Sequence, residues 1–498
     1  MNSYAVDYSD VQGLLRFGYA ALTEASFLLL RIRDARDASA WLASAPVTNA
    51  VKLDKAPPTA MQVAFTREGL EALHLPPNII AGFSDEFLSG MWGEENRSHR
   101  LGDIGKNSPE YWRWGGSEKV PHVLVMLYAQ KGQLQARREA IQDPAWDTAF
   151  EIMDSLPTSD LQGVEPFGFT DGISEPSLDW ERQRTSADQV AYTNLSCLGE
   201  FLLGYPNEYG KYTDRPLLPN DSTSVGLPEA EDSPGMRDLG RNGSYLVLRQ
   251  LQQDVRGFWQ FADRQARSDP QAREQLAASM VGRNRNGDPL MPLSSQPIDG
   301  VKPAHPSNQF TYDSDGNGTR CPFGAHIRRS NPRNADFPPG TTGFFSRLIH
   351  NLGFAGTDLR QDIMSSTRFH RLLRRGREYG PRLSPEQAVQ PDCSDTGEHG
   401  IQFVCINANI SRQFEFVQGA WIMNTKFNGV TAESDPLLGN RQPIPGCAVT
   451  DNFSLPQEGG LPRCINGLPQ FVTVRGGAYF FLPGIRALRY LAMHSPPT

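Results

Sequence analysis

The chain has 498 residues, with 48 Lys and Arg against 56 Asp and Glu and a net charge of −8 at pH 7. That length buries a large core and accommodates roughly three domains, while the slightly acidic, interspersed charge excludes a nucleic-acid footprint. No apolar run approaches the ~18 residues that a membrane-spanning helix needs.

The N-terminus, MNSYAVDYSDVQGLL, has neither a basic region nor an apolar stretch of the signal-peptide kind. It reads as a native cytosolic start or as a mature form carrying a new Met1. Residues 24–33 (EASFLLLRIR) read as a strand and ARDASAWLAS after it as a helix. MQVAFTREGLEALHL at 61–75 repeats strand then helix, with Thr66 as helix cap and Glu68 in the first turn, where the helix dipole favours a negative charge. VPHVLVMLYAQ (120–130) followed by KGQLQARREAIQ gives the same grammar again.

The stretch 166–176, PFGFTDGISEP, puts Asp171 in a turn between Gly168 and Gly172 with Phe167 and Phe169 beside it. Residues 205–236 are rich in Pro, Asp and Ser and read as a long loop or linker. Strand then helix restarts in GSYLVLRQLQQDVRGFWQFADR (243–264) and in GIQFVCINANISRQFEFVQGAWI (400–422). The repetition implies two similar α+β halves, divided as 1–215 and 216–498.

Between those two segments lies HPSNQFTYDSDGNGTRCPFGAHIRRSN, residues 305–331. It reads as a polar Gly-rich loop opened by His305 and closed by a short apolar strand, Cys321 to Ile327. Alternate strand residues share a face, so His326, Arg328 and Ser330 are expected to point one way. Arg371, Arg374, Arg375 and Arg377 form the one dense basic patch, which reads as a solvated helix end or as an anchor for acidic groups. The six cysteines contain no C-x-x-C pair, which argues against a metal–thiolate site. Cys447 and Cys464 flank a loop and are placed to pair in an oxidising compartment, whereas Cys321 and Cys405 read as buried thiols.

GFTDGISEP together with the distant CPFGAHIRRSNPR resembles the dye-decolourising peroxidase family, whose signature G-x-x-D-G stands here as Gly168 to Gly172. The likeness runs from Val11 to the terminal FVTVRGGAYFFLPG and is nearest to the fungal, long-chain subgroup. It implies two ferredoxin-like halves with antiparallel sheets packed together, in the manner of a dimeric α+β barrel with helices outside. It also implies haem b held mainly by the C-terminal half and a peroxidase that uses hydrogen peroxide to oxidise dyes and phenols.

Nine histidines compete for the iron, and His305 and His326 are the two near the basic segment. The family places its proximal histidine upstream of the H-I-R segment, so the resemblance favours His305 as the metal ligand and leaves His326 behind it. Asp171 is the expected acid–base, competent in acid because a carboxylate ionises near ~3.9 whereas a histidine does so near ~6.5. Arg328 is the expected fixed cation where negative charge grows as the peroxide bond breaks, and Ser330 a hydrogen-bond donor to peroxide or water.

By resemblance, Ile401 and Phe403 line the cavity and Asp435 bonds the proximal histidine's other nitrogen, with Glu415 as rival. The basic patch becomes an anchor for haem propionates. Bulky dyes are expected to be oxidised at a distance, through Trp421 or one of the 14 tyrosines. Mn(II) oxidation would draw on Asp313, Asp315, Asp336 and Glu433. The resemblance further implies a secreted mature form, monomeric or dimeric, with no nucleic-acid or membrane partner. Two other readings stay open: a haem-handling protein with little turnover, and a ferredoxin-like binding protein without haem.

Overall fold

The computed structural model describes residues 5–143, 145–183, 194–295, 305–334, 366–395 and 397–493. The N-terminal half contributes β1 (Glu24–Ile32), β2 (Thr59–Phe65), β3 (Val123–Ala129) and β4 (Phe150–Pro157). The C-terminal half contributes β5 (Ser244–Gln253), the short β6 (Leu373–Arg374) and β7 (Arg377–Tyr379), β8 (His399–Asn407) and β9 (Val472–Leu482). All pair antiparallel in the order β6-β8-β5-β9-β2-β3-β1-β4, with β7 also on β8. Each half thus runs second, third, first, fourth, which is the ferredoxin-like order. The halves meet where Phe481 of β9 pairs with Phe65 of β2.

Both faces of the sheet are covered. Leu28 and Leu30 of β1 face one apolar cluster while Phe27 and Leu29 face another, which explains the unbroken run FLLL in an antiparallel strand. Helices α1 (Ala35–Ser44) and α7 (Ile485–Ala492) pack together over the first face, through Trp41, Leu42, Ala487 and Leu488. Asp34 starts α1 by accepting from the backbone N–H groups of Arg36 and Asp37, each at 2.9 Å. Thr66 caps α2 (Arg67–Ala72) by accepting from Gly69 N at 3.1 Å, and α3 (Leu134–Ile141) follows β3. In the second half α4 (Val255–Gln265) and α5 (Pro270–Val281) enclose a third cluster with Phe167, Phe169, Phe258 and Trp259.

Three local expectations change. Residues 321–325 form a turn, closed by Ala325 N donating to Pro322 O, and a short helix α6 (His326–Ser330) follows in place of the strand. Pro322 lacks a donor and Gly324 weakens an extended run, so the apolar composition does not suffice for a strand. The basic patch is likewise β6 and β7 rather than a helix end, because Gly376 runs against β8; a Cβ there would meet Gln402 O at 2.7 Å. The expected Cys447–Cys464 pair is not formed: all six cysteines are free, Cys447 donating to Val449 O and Cys464 to Asn466. Among the described residues no helix is long and apolar enough to cross a membrane.

Candidate active site

A cavity of about 260 Å³ opens in the C-terminal half, walled by the 167–176 loop, α6, β6, β7, β8 and the 411–422 segment. That segment winds as π-helix over Ser411–Glu415 and Val417–Ile422, the wide-turn form that recurs at functional sites. Phe414, Val417 and Ile422 reach the cavity from it, and Ile401 and Phe403 reach it from β8 at the i, i+2 spacing of one strand face.

On one wall His326 opens α6, and its Nδ1 lies 2.9 Å from Asp435 Oδ2. Asp435 is fully buried, and its other oxygen accepts from Leu437 N and Leu438 N at 2.9 and 2.8 Å. Burial pulls the His326 pKa down, but the charge and hydrogen bond of Asp435 outweigh it, and the imidazole stays more basic than usual. Burial pushes Asp435 up, yet the charge and hydrogen bond of His326 leave it below the ordinary carboxylate range. With Nδ1 committed to Asp435, Nε2 is the nitrogen left for a ligand in the cavity.

On another wall Asp171 Oδ1 accepts from Arg374 Nη1 at 2.8 Å and from Gly172 N at 2.7 Å. Glu175 fixes the arginine in turn, accepting from its backbone N and pairing with Nη2, both at 2.8 Å. Burial raises the Asp171 pKa, but the Arg374 charge and the two hydrogen bonds outweigh it, so the carboxyl stays ionised below its usual range. The Asp171 side chain keeps 38% exposure because it faces the cavity.

Asp171, Ile401, Phe403 and Ser330 all line this cavity, and Asp435 stands behind His326. His305 and Arg328 do not line it. His305 is exposed and accepts from Ser307 N at 3.2 Å at the start of a turn of 3-10 helix. In a helix residues i and i+2 diverge by about 200°, so Arg328 leaves the face that His326 shares with the cavity. It is 2% exposed, pairs with Asp315 at 2.8 Å and donates to Cys321 O. Arg329 donates to the carbonyls of Trp421, Asn424 and Glu433.

Glu415, the rival to Asp435, pairs with Arg97 at 2.7 Å and with Arg100, and accepts from Tyr479 at 2.9 Å. Trp421 is buried, edge-on to the His370 ring at 5.3 Å, while His370 lines the cavity. Of the carboxylates considered for Mn(II), Asp315 and Glu433 are buried, Asp313 is exposed, and Asp336 lies outside the described residues. No group of three or more metal-ligating side chains occurs among the described residues.

Arg374 was expected as an anchor for acidic groups; its pairing with Asp171 is what sequence reasoning missed.

No family model matches the chain. It is 30% identical to the multifunctional dye peroxidase DyP2 of Amycolatopsis sp. over 407 residues, 77% of this chain and 74% of that relative. The chain belongs to the dye-decolourising peroxidase family. Dye-decolorizing peroxidase msp1 of Mycetinis scorodonius is 27% identical over 519 residues, covering 98% of this chain and 88% of the fungal protein. The crystal structure of a fungal DyP-type peroxidase from Auricularia auricula-judae superposes with a TM-score of 0.72 at 25% identity, over 98% of this chain and all of that one. The protein is therefore a peroxidase that takes hydrogen peroxide as oxidant, in a family of haem enzymes with antiparallel ferredoxin-like halves.

Proposed function

We propose that the cavity would hold haem b, with His326 as the residue that would bind its iron and Asp171 and Arg374 as the residues that would meet the peroxide. The fit rests on the donor set: a neutral imidazole nitrogen backed by a buried carboxylate is a haem-type ligand whose basicity is raised from behind. It also rests on charge. Arg283, Arg333, Arg371, Arg374 and Arg377 line the cavity against Glu165, Asp171 and Glu378, so its lining holds more basic than acidic side chains. That surplus suits the two propionates of a porphyrin. A bound haem supplies two-electron chemistry with hydrogen peroxide and one-electron oxidation of reducing substrates.

The chain's own residues supply the rest. Asp171 takes a proton from one peroxide oxygen and returns it to the leaving oxygen, which departs as water. Arg374 offers a guanidinium, already oriented by Glu175, to the negative charge that grows as the bond breaks. Ile401 and Phe403, which line the cavity, would restrict entry to small molecules, and Ser330, also in the lining, would hydrogen-bond peroxide or a water.

Dyes and phenols are oxidised outside the cavity, with Trp421 and His370 as the aromatic path. Mn(II) is a weaker candidate substrate, because two of its expected carboxylates are buried. A secreted mature form and a division of the halves near residue 215 belong to the same reading.

The observation that carries it is that one cavity is lined both by His326, backed by Asp435, and by the paired Asp171 and Arg374. The test is steady-state oxidation of a phenol by hydrogen peroxide. Asp171→Asn is expected to lower kcat by ~10²- to 10⁴-fold and Arg374→Leu by ~10²- to 10³-fold, each with haem retained. Wild-type rates in both variants would refute the assignment.

A further inference from the structure

The loop that presents Asp171 is folded around a second carboxyl, that of Glu165. Glu165 Oε2 accepts from Phe167 N at 3.0 Å and from Gln253 Nε2 at 2.9 Å, and Oε1 accepts from Phe169 N at 3.0 Å. The backbone closes the same turn, Glu165 N donating to Phe169 O at 2.9 Å and Gly168 N to Glu165 O at 2.8 Å. Glu165 therefore fixes the path of the chain just before Asp171.

Glu165 also lines a second, smaller cavity of about 30 Å³, bounded by Leu161, Pro166, Arg285, Arg382 and Ser384 among others. It is the one described residue that the two cavities share. The space has room for about two waters at ~10–15 Å³ each, and among its lining residues Glu165, Arg285, Arg382 and Ser384 are the polar side chains available to bond them.

We propose that Glu165 is a positioning residue that acts through Asp171: it shapes the Asp171 loop and passes protons to the main cavity from the second one. This rests on the peroxidase reading above.

The chemistry requires such an inlet. Reducing one hydrogen peroxide to two waters consumes two electrons and two protons. The electrons come from two one-electron oxidations of a phenol or dye, whose own protons are released where it is oxidised. Protons must therefore enter the buried cavity separately. The Glu165 carboxyl gives its proton to water in the main cavity, Asp171 relays it, and water in the second cavity returns one to Glu165.

Burial is the main reason the Glu165 carboxyl is pushed up to about 7, assisted by the Asp171 charge and opposed by the bonds from Gln253, Phe169 and Phe167. Of the charged groups Asp171 acts on it directly; the main cavity is also lined by Arg283, His326, Arg333, His370, Arg371, Arg374, Arg377 and Glu378, and the second by Arg285 and Arg382. A group balanced there is both protonated and exchangeable near neutrality.

The experiment uses the haem-loaded protein with saturating hydrogen peroxide and a phenol. The wild-type kcat is expected to fall as pH rises through about 7, because the protonated Glu165 is the donor. Glu165→Gln should lose that limb and several-fold in kcat. Gln253→Leu, which removes one bond that holds the carboxyl down, should move the limb to higher pH. Infrared difference titration should show a protonated-carboxyl band that disappears through the same pH range in wild type and is absent in Glu165→Gln.

A limb unmoved in Glu165→Gln, or no carboxyl titrating there by infrared, overturns the proposal. If Glu165→Gln does not load haem, the Gln253→Leu limb and the wild-type infrared titration decide it alone. A wild type without peroxidase turnover would count against the peroxidase reading itself, whereas an active enzyme with an unmoved limb counts only against the relay.

Discussion

Asp171 and Arg374 hold one another at 2.8 Å inside a cavity, and each makes the other's charge cheaper to keep. Burial alone would raise the aspartate, but the guanidinium and the Gly172 N–H outweigh it. The sign for activity follows directly. The carboxylate is the base, so the acid limb of turnover lies at its depressed value, below the usual ~3.9 of an aspartate. Peroxide-dependent turnover of Asp171→Glu, which reaches further and breaks the Arg374 geometry, should fall off at higher pH than wild type; coincident acid limbs would contradict this. The same shift contributes stability that is present above the unfolded-state pKa and lost as pH falls through the folded one.

Asp171 was legible because a rigid turn and its neighbours are written locally. Ile401, Phe403 and Asp435 came from the family resemblance; the first two line the cavity, and Asp435 bonds His326 rather than the expected His305. Arg374 was not legible, since its role depends on Glu175 and Asp171, about 200 residues away.

α6 decides which histidine faces the cavity. Read as a strand, the segment puts His326 and Arg328 on one side; as a helix it sends His326 to the cavity and Arg328 into the protein. The two periods differ, and five residues are too few for composition to choose between them. Pro322 and Gly324, four and two residues upstream of His326, were the available sign.

The helix also gives Arg328 a different task. It is buried against Asp315, with Tyr312 and Phe323 rings at 4.5 and 4.6 Å. Arg328→Met leaves Asp315 without its main partner and should cost about 3–5 kcal/mol of stability in denaturant unfolding. Turnover per bound haem should be unchanged. Loss of turnover without loss of stability would restore Arg328 to the chemistry.

At the scale of the whole molecule the fold keeps its two similar halves but assigns them unequal work. β9 and β2 join them, and the cavity belongs to the second half apart from the Asp171 loop that reaches across. The repeat of strand and helix was visible in the sequence, while the single sheet that unites the halves depends on long-range pairing that no local signal encodes.

The net charge of −8 acts at this scale too. A sulfonated dye approaching at pH 7 is repelled, so raising ionic strength should raise its kcat/KM and leave that of a neutral phenol unchanged. Equal salt responses would place dye oxidation away from the protein's net field. Trp421→Phe should lower turnover of bulky dyes more than that of small phenols, and equal losses for both would remove Trp421 from the electron path.

The most direct measurement is the absorption spectrum of haem-loaded protein for wild type, His326→Ala and His305→Ala. The account predicts a Soret band that changes on adding hydrogen peroxide in wild type and His305→Ala, and that is lost or shifted in His326→Ala. A wild-type spectrum kept by His326→Ala, or abolished by His305→Ala, would contradict it.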